Sequence, residues 1–256
     1  FQPVVRTSDW EVCGIETLAR WEVEPGVWVP PTEFIDLAEE IGLIDELGIR
    51  MVDQALGALD ALEDAGLDVC HVSVNLSPLQ LQSGHIFDKI ADAVDRGRAG
   101  LLCLEMTEEH IIDDTHRTLQ LLHRLADLGV GLAVDDFGTG YSSLGALHRM
   151  PARTLKIDRR LVEQVGDQAG DAVVAAVVGV ATAYGMSTVA EGVETTAQAV
   201  RLCELGVDSL QGFLFARPEP LHDLIARLEQ PGWYWDVPES VLRDQSVLPF
   251  DEPATA

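Results

Sequence analysis

The sequence predicts an α/β fold, a closed (β/α)8 barrel similar to the TIM barrel. Four times along the chain a helix ends, a glycine follows, and an apolar strand begins two or three residues later and ends in a polar side chain. These copies begin at Gly66, Gly129, Gly185 and Gly206. Strands that alternate with helices pair in parallel through right-handed crossovers. The 256 residues are enough for one such barrel.

The remaining elements bring the count to about eight barrel strands. Residues 101–105 and 154–156 form two strands that lack the preceding glycine but keep the polar ending. Two more strands are predicted at the amino terminus, over residues 3–6 and 11–21. Helices are predicted from Pro31, a residue that suits a first helical turn, and over about 44–65. The apolar run 172–183 predicts a buried helix, too short to span a bilayer.

The repeating pattern stops near residue 228. We therefore expect a barrel domain over residues 1–228 and a carboxyl-terminal extension over 229–256. Trp233, Tyr234 and Trp235 would pack part of this extension onto the barrel, and its end would be disordered. The chain starts without Met inside a strand-like run, so we expect a fragment of a longer protein.

Composition restricts the partners and the compartment. Lys plus Arg is 17 and Asp plus Glu is 43, a net charge of −26. Such a surface repels nucleic-acid polymers and anionic membranes, whereas a small anion can bind where metal ions reverse the local charge. The four cysteines show no paired spacing, and Cys13, Cys70 and Cys103 are predicted to be core thiols. We expect a cytoplasmic domain, with any membrane anchor in segments outside this sequence.

The chemistry is predicted to lie on one rim of the barrel. Active sites of such barrels lie at the carboxyl ends of the strands, and here those ends carry Asn75, Glu105, Asp135, Lys156, Glu191 and Gln211. The adjacent carboxylates of Asp135 and Asp136 repel each other and are costly to bury, and a shared divalent cation removes that cost. The alternative is that one of the two caps the next helix and the other is solvated.

The candidate ligands are all hard oxygen donors: Glu16, Asn75, Glu105, Asp135, Asp136 and Glu191. This set suits Mg²⁺ or Mn²⁺ rather than zinc or copper. More carboxylates than one ion needs indicate two ions, the arrangement used for in-line attack on phosphodiesters. Lys156 is the single central cation and would orient or deprotonate the attacking water or stabilise phosphate charge. Its alternative role is a salt bridge to Asp135 or Asp136.

Several other residues have a structural alternative. Glu108 and Glu194 each follow a rim carboxylate by three residues, and helix capping explains them as well as a role in the site does. The loop 137–143 has neither a P-loop nor a G-x-G-x-x-G spacing, so a mobile active-site loop is the better interpretation. The scattered histidines at 71, 110, 116 and 123 are interpreted as structural or surface residues.

Seven ordered motifs resemble the signatures of EAL-domain cyclic di-GMP phosphodiesterases over roughly residues 1–228. They are Glu16-Thr-Leu-Ala-Arg-Trp21, Val74-Asn-Leu-Ser77, Glu105-Met-Thr-Glu108, Asp135-Asp-Phe-Gly-Thr-Gly-Tyr-Ser-Ser-Leu144, Leu155-Lys-Ile-Asp158, Ala190-Glu-Gly-Val-Glu-Thr195 and Gln211-Gly-Phe213. The resemblance implies a barrel with one reversed strand near the amino terminus. It also implies hydrolysis of cyclic di-GMP to linear pGpG with Mg²⁺ or Mn²⁺.

The resemblance further implies a role for each matching residue. The first metal would be held by Glu16, Asn75, Glu105 and Asp135. The second would be held by Asp135 and Asp136, with Glu191 near both. The nucleophilic water would be handled by Lys156 and Gln211, and the substrate would be contacted by Arg20, Gln2 and Leu18. Glu108 and Glu194 would support the loop from Asp136 to Leu144, which in this family links the site to a homodimer interface. Fusion to other signalling domains is also implied.

Departures from the family pattern leave the metal ligands intact. Thr17 stands where Ala is usual, and the segment 22–26 replaces the usual His-Pro and following glycine. Arg160-Leu161 replaces a common Ser-Phe, and Ala216 replaces a Ser. Two other functions stay open: a catalytically silent receptor that binds cyclic di-GMP, and a barrel that acts on another phosphoester.

Overall fold

The computed structural model describes residues 1–107, 117–138 and 147–230. The strands are β1 (Gln2–Arg6), β2 (Val12–Thr17), β3 (Trp21–Glu24), β4 (Val27–Val29), β5 (His71–Asn75), β6 (Leu102–Thr107), β7 (Gly131–Phe137), β8 (Thr154–Ile157), β9 (Ser187–Ala190) and β10 (Ser209–Leu210). The helices are α1 (Pro31–Glu40), α2 (Ile44–Asp64), α3 (Pro78–Ser83), α4 (Ile86–Asp95), α5 (Arg117–Asp127), α6 (Arg159–Val162), α7 (Gln168–Ala183), α8 (Thr196–Glu204) and α9 (Leu221–Leu228), with a 3₁₀ turn at Ala99–Leu101.

Eight of the strands close into a barrel in the order β1-β10-β9-β8-β7-β6-β5-β2. Strand β1 is antiparallel to both of its neighbours, β2 and β10, and the other barrel pairs are parallel. Both the predicted fold class and the single reversed strand are therefore confirmed. Because β1 runs the other way, its first residues reach the rim where the other strands end.

The glycine that precedes four of the strands has the predicted conformation. Each follows a helix and has a left-handed φ: Gly66 at 71°, Gly129 at 92°, Gly185 at 69° and Gly206 at 86°. A residue without a Cβ adopts this region at low cost, so the helix ends there and the chain turns into the next strand.

The hydrophobic core lies between the strands and the surrounding helices. Side chains alternate along each strand, so Leu104, Leu132 and Leu155 point outward into this layer and are fully or almost fully buried. Helix α2 covers β5 with a buried face that includes Val52 and Leu59. The alternate strand residues point into the barrel, where the polar side chains gather.

The prediction of one strand over residues 11–21 is wrong. Strand β2 ends at Thr17, and Trp21–Glu24 pairs instead with Val27–Val29 as a separate two-stranded sheet. Gly26, at φ 82°, forms the turn of this hairpin. The hairpin lies on the outside, and Trp28 keeps 55 % of its surface exposed. An apolar run alone could not distinguish a continued barrel strand from this exposed addition.

The interpretation of residues 172–183 as a buried helix is correct for one face only. Helix α7 spans this run and buries Val174, Val177 and Ala181 against the barrel. Its opposite face carries small apolar residues at the surface, and Val173 is 44 % exposed. Within the described ranges, the structure contains no helix with both the length and the apolar character needed to cross a bilayer.

One of the three predicted core thiols lies at the surface. Cys13 and Cys103 are buried as expected, but Cys70 is exposed because it precedes β5 at the amino-terminal end of the barrel. Cys13 and Cys70 are far apart in the sequence but close together in space. Strands β2 and β5 are neighbours, and the Cys70 N–H donates to the Cys13 carbonyl oxygen.

Candidate active site

The polar strand ends converge inside the carboxyl-terminal mouth of the barrel. Six of their side chains are buried: Gln2, Glu16, Glu105, Asp135, Lys156 and Gln211. Gln2 belongs to this group because β1 is reversed and pairs Gln2 with Glu16. Asn75 lies on the same rim, paired with Glu105 in the β5–β6 register, and its residue is exposed.

Lys156 stands at the centre of this group. Its Nζ lies 2.5 Å from Glu105 Oε2 and 2.6 Å from Glu191 Oε1. The same nitrogen is 3.3 Å from Asp135 Oδ1 and 3.7 Å from Glu16 Oε2. Four carboxylates from four strands or strand ends therefore surround one ammonium group. The alternative role predicted for Lys156, a salt bridge to Asp135 or Asp136, accounts for only one of these four contacts, the one to Asp135.

Amide side chains complete the environment of Glu16. Asn75 Nδ2 donates to Glu16 Oε1 at 2.9 Å, and Gln211 Nε2 donates to Glu16 Oε2 at 2.7 Å. Gln211 also donates to Gln2 Oε1 at 3.3 Å, and Gln2 donates to the Ala216 carbonyl oxygen. The chain of hydrogen bonds fixes the Glu16 carboxylate from both sides.

Burial and charge act against each other on the protonation of these groups. Burial alone would raise the pKa of Glu16, but the Lys156 ammonium and the two amide donors outweigh it and lower that pKa. At Glu105, burial together with the neighbouring charges of Glu16 and Asp135 raises the pKa well above its usual value despite Lys156. Burial would lower the pKa of Lys156, but the surrounding carboxylates raise it, so the ammonium stays charged.

Glu191 and Asp136, like Glu105, hold protons more strongly than usual. Burial, opposed by Lys156, raises the pKa of Glu191 to about 8. Burial, the charge of Asp135 and a hydrogen bond to Asp158 raise the pKa of Asp136 to about 6. Negative charge therefore exceeds what one lysine neutralises, and additional positive charge at this position would be stabilised.

Three of these carboxylates are arranged as a candidate cation site. Asp135, Asp136 and Glu191 each offer an oxygen, and these oxygens all lie within 4.8 Å of one another. The candidate metal ligands on this rim, the three carboxylates together with Glu16, Asn75 and Glu105, offer carboxylate or amide oxygens. These are the ligands that Mg²⁺ and Mn²⁺ prefer. The residues present therefore fit a hard divalent metal.

An irregular backbone brings the two adjacent aspartates to the same site. Asp136 has φ 54°, an uncommon conformation for a residue other than glycine. Its N–H donates to Asp135 Oδ1 at 2.9 Å, and the β7–β8 register shifts between Val134 and Phe137. A regular strand would place Asp135 and Asp136 on opposite faces, and this irregularity brings oxygens of both to one site.

Asp158, which has no predicted role, lies beside the site. Asp158 is buried, and it hydrogen-bonds Asp136. Its Oδ1 accepts from Arg160 N at 2.8 Å and from Arg160 Nε at 2.9 Å, at the start of α6. The sequence feature that could have indicated a role for Asp158 is its position directly after β8, the strand that carries Lys156.

Some predicted site residues lie away from the buried cluster. Arg20 is exposed and donates to the Ala19 carbonyl oxygen, and Leu18 is half-buried. Glu194 is exposed, and Thr195 rather than Glu194 caps helix α8. Glu108, His110, His116, most of the 136–144 loop and the aromatic segment 233–235 lie outside the described residues.

Comparison with known proteins identifies the family. The EAL domain family model matches residues 1–218. The chain is 39 % identical over 229 residues to the Pseudomonas aeruginosa bifunctional diguanylate cyclase/cyclic di-GMP phosphodiesterase MucR, covering 88 % of this chain and 33 % of MucR. It is 38 % identical over 224 residues to the cyclic di-GMP phosphodiesterase NbdA of the same organism, covering 86 % of this chain and 29 % of NbdA. The chain thus spans about a third of the length of these relatives.

Solved structures agree with this assignment. The PaMucR phosphodiesterase in its c-di-GMP complex matches with a TM-score of 0.81 and 39 % identity, covering 87 % of this chain and 92 % of that one. The EAL enzyme Bd1971, in the form bound to cAMP and cyclic di-GMP, matches with a TM-score of 0.82 and 30 % identity, covering 89 % and 63 %. On the family match and these likenesses, the chain belongs to the EAL domain family.

Proposed function

We propose that this domain is a phosphodiesterase that hydrolyses cyclic di-GMP to linear pGpG with two Mg²⁺ or Mn²⁺ ions. The observation that carries the proposal is the cluster of four carboxylates, three of them buried, around the buried Lys156 on the rim of the barrel. The names of the relatives MucR and NbdA, and the cyclic di-GMP complex of PaMucR, support the same substrate.

We assign the metal ligands from the donor set and the family motifs. Glu16, Asn75, Glu105 and Asp135 would hold one ion. Asp135 and Asp136 would hold the other, with Glu191 close to both. When bound, such ions lower the pKa of a water molecule and neutralise charge on the phosphate. The amides of Asn75 and Gln211 keep Glu16 oriented for this role by their hydrogen bonds.

Lys156 has a role that the metal ligands cannot supply. Its ammonium is buried and stays charged, and it lies within 2.6 Å of oxygens on Glu105 and Glu191. In this position it can donate to an attacking water or to a phosphate oxygen as negative charge develops there. Gln211 donates to Glu16 Oε2, the same oxygen that lies 3.7 Å from Lys156 Nζ, and would orient the same water.

Substrate contacts lie at the edge of the mouth. The exposed guanidinium of Arg20 is available for a phosphate of cyclic di-GMP. Gln2 lies at the start of β1, and Leu18 directly follows β2. Both would contact the nucleotide. Against a net charge of −26, metal ions and Arg20 supply the local positive charge that an anionic substrate needs.

Regulation is proposed from the family motifs. Glu108 and Glu194 would support the loop from Asp136 to Leu144, and that loop would lie near a homodimer contact. The domain would be one part of a multidomain cytoplasmic signalling protein, with the barrel over residues 1–228 and an extension over 229–256. Specific activity that rises with protein concentration across the dissociation range would support the dimer.

The direct test is the formation of pGpG from cyclic di-GMP with Mn²⁺, resolved by chromatography. We expect hydrolysis by the natural sequence and its loss in Glu16→Gln, with the exposed Glu11→Gln as the matched control. A silent receptor would bind cyclic di-GMP and form no product. A phosphodiesterase for another substrate would cleave other phosphoesters faster than cyclic di-GMP, so the assay includes several of them.

A further inference from the structure

A second group of reactive side chains lies at the amino-terminal end of the barrel, opposite the proposed active site. Cys13 belongs to β2, and Cys70 directly precedes the neighbouring strand β5. The N–H of Cys70 donates to the carbonyl oxygen of Cys13 at 2.7 Å. Residues joined in this way across two strands have Cα atoms about 5 Å apart, which lies within the range that a disulfide can bridge.

Cys70 has the surroundings of a reactive thiol. It is exposed, and Arg6 Nη2 lies 3.6 Å from its sulfur. The guanidinium is held by Asp9, and its charge also interacts with Cys13. An exposed sulfur is accessible to a small disulfide in solution, and the guanidinium beside it can attract an anionic disulfide.

Cys13 can serve as the second thiol because it occupies an irregular position. The β1–β2 pairing passes from Val4–Gly14 to Val5–Val12, so Cys13 is the extra residue of a bulge. Its sulfur makes two long contacts, each 3.6 Å, to the Val4 carbonyl oxygen and the Ser209 hydroxyl. Rotating this side chain towards Cys70 would break these two weak interactions and its packing against Val4 and Val189.

The other two cysteines, Cys103 and Cys203, lie outside this pair. Cys103 is buried inside the barrel, and burial raises the pKa of its thiol strongly, which disfavours the reactive form. Cys203 lies on helix α8, away from the β2–β5 strand pair. Among the described residues, neither has a cysteine hydrogen-bonded to it across a strand pair, so both serve as internal controls.

We propose that Cys13 and Cys70 form a redox pair that a low-molecular-weight disulfide closes into an intramolecular disulfide. The Cys70 thiolate attacks the small disulfide, which forms a mixed disulfide on Cys70 and releases one small thiolate. The sulfur of Cys13, losing its proton to solvent, then attacks the sulfur of Cys70 and expels the second small thiolate. Two protein thiols are oxidised, and one small disulfide is reduced to two thiols.

The first test uses glutathione disulfide on the natural sequence under non-denaturing conditions, followed by intact mass and peptide mapping. We expect a loss of two hydrogen masses and one cross-linked peptide pair that joins Cys13 to Cys70. Cys103→Ser and Cys203→Ser should close equally well, and Cys70→Ser, an exposed substitution, should not. A glutathione adduct that stays on Cys70, or closure with another cysteine, overturns the proposal.

The second test measures thermal unfolding of the oxidised and reduced protein. Linking β2 to β5 closes a long chain segment and should raise the melting temperature by roughly 5 to 10 °C. The rise should be absent in Cys70→Ser treated in the same way. An unchanged or lower melting temperature after confirmed closure contradicts a pair that is positioned to bond in the native fold. Neither test depends on the proposed hydrolase activity.

Discussion

The ammonium nitrogen of Lys156 lies 2.5 Å from Oε2 of Glu105, and both side chains are buried. The two residues belong to β8 and β6, which are separated in the barrel by β7. Strand β7 contributes Asp135, whose Oδ1 lies 3.3 Å from the same nitrogen. Three adjacent strands therefore form one charged network, and removing its only cation leaves buried carboxylates without a counter-charge.

We predict that Lys156→Met separates catalysis from binding. Methionine keeps most of the volume and removes the charge, and a group that acts mainly in the transition state affects turnover more than affinity. Hydrolysis of cyclic di-GMP should fall at least ~10²-fold. Affinity, measured by calorimetry with Mn²⁺ present, should stay within about tenfold.

The matched control is Lys89→Met, which replaces the other of the chain's two lysines. Lys89 pairs with Asp53 on the surface, so its loss should change neither quantity. If Lys156→Met loses binding and turnover in equal proportion, Lys156 is a substrate anchor and its catalytic assignment is wrong.

We predict that Ca²⁺ binds to the carboxylate cluster without supporting turnover. Ca²⁺ takes longer bonds and a looser geometry than Mg²⁺ or Mn²⁺, which displaces a bridging water, and ~1 Å of displacement can cost on the order of a hundredfold in rate. Competition assays should show inhibition of the Mn²⁺-dependent reaction by Ca²⁺. Equal rates with the two metals would contradict this prediction.

We predict that the metal-free protein loses stability as the pH rises from about 4 to about 8. The pKa of Asp136 is raised to about 6 and that of Glu191 to about 8, so the folded state binds protons that the unfolded chain has already released. This contribution is fully present below the unfolded pKa values and disappears as the pH passes the folded ones. The slope should approach about 1.4 kcal/mol per pH unit while one proton is lost.

Urea unfolding in a chelator at several pH values measures this dependence. Glu191→Gln removes one of the titrating groups and should flatten the upper part of the curve, and saturating Mn²⁺ should do the same by replacing protons as the counter-charge. Stability of the metal-free protein that stays constant or increases over this range would rule out the proposed protonation.

We predict that Thr17→Val stabilises the fold. Thr17 is 2 % exposed, and its hydroxyl has no hydrogen-bond partner among the described residues. Valine has the same shape without the hydroxyl, so the free energy of unfolding should rise by about 1 kcal/mol. Activity should not change because the neighbouring Glu16 supplies the ligand.

The control for this change is Thr188→Val. Thr188 is equally buried, but its hydroxyl donates to Asp208 Oδ2 at 2.8 Å and accepts from Asp208 N. The same substitution should therefore destabilise by about 1 to 2 kcal/mol. Chemical denaturation of both variants checks the pair, and a loss of stability in Thr17→Val would show that its hydroxyl is satisfied.

The repeating unit made most of the fold predictable from the sequence. The glycine that follows a helix in four of the repeats and the polar residue at the strand ends are local features, set by backbone conformation and by which residues tolerate burial. The position of Lys156 among acidic strand ends could be inferred in the same way. Because parallel strands in a barrel end at one rim, sequence position alone implied that these side chains meet.

The local errors arose where burial depends on a neighbour that the sequence does not identify. Trp21 and Val23 are as apolar as barrel residues, yet they lie in an exposed hairpin. Residue Val173 belongs to an apolar run whose outer face meets no other element among the described residues. Cys70 precedes its strand by one residue, which is enough to place it at the surface.

The sequence by itself determined the barrel, the rim and the acidic residues on it, because these follow from local pattern and strand direction. Only the tertiary structure decided that Asp158 hydrogen-bonds Asp136, that Gln211 donates to Gln2, and that Cys13 lies next to Cys70. Each of these contacts depends on how strands pair and where the backbone departs from regular geometry. Closure of the barrel, not proximity in sequence, brings such residues together.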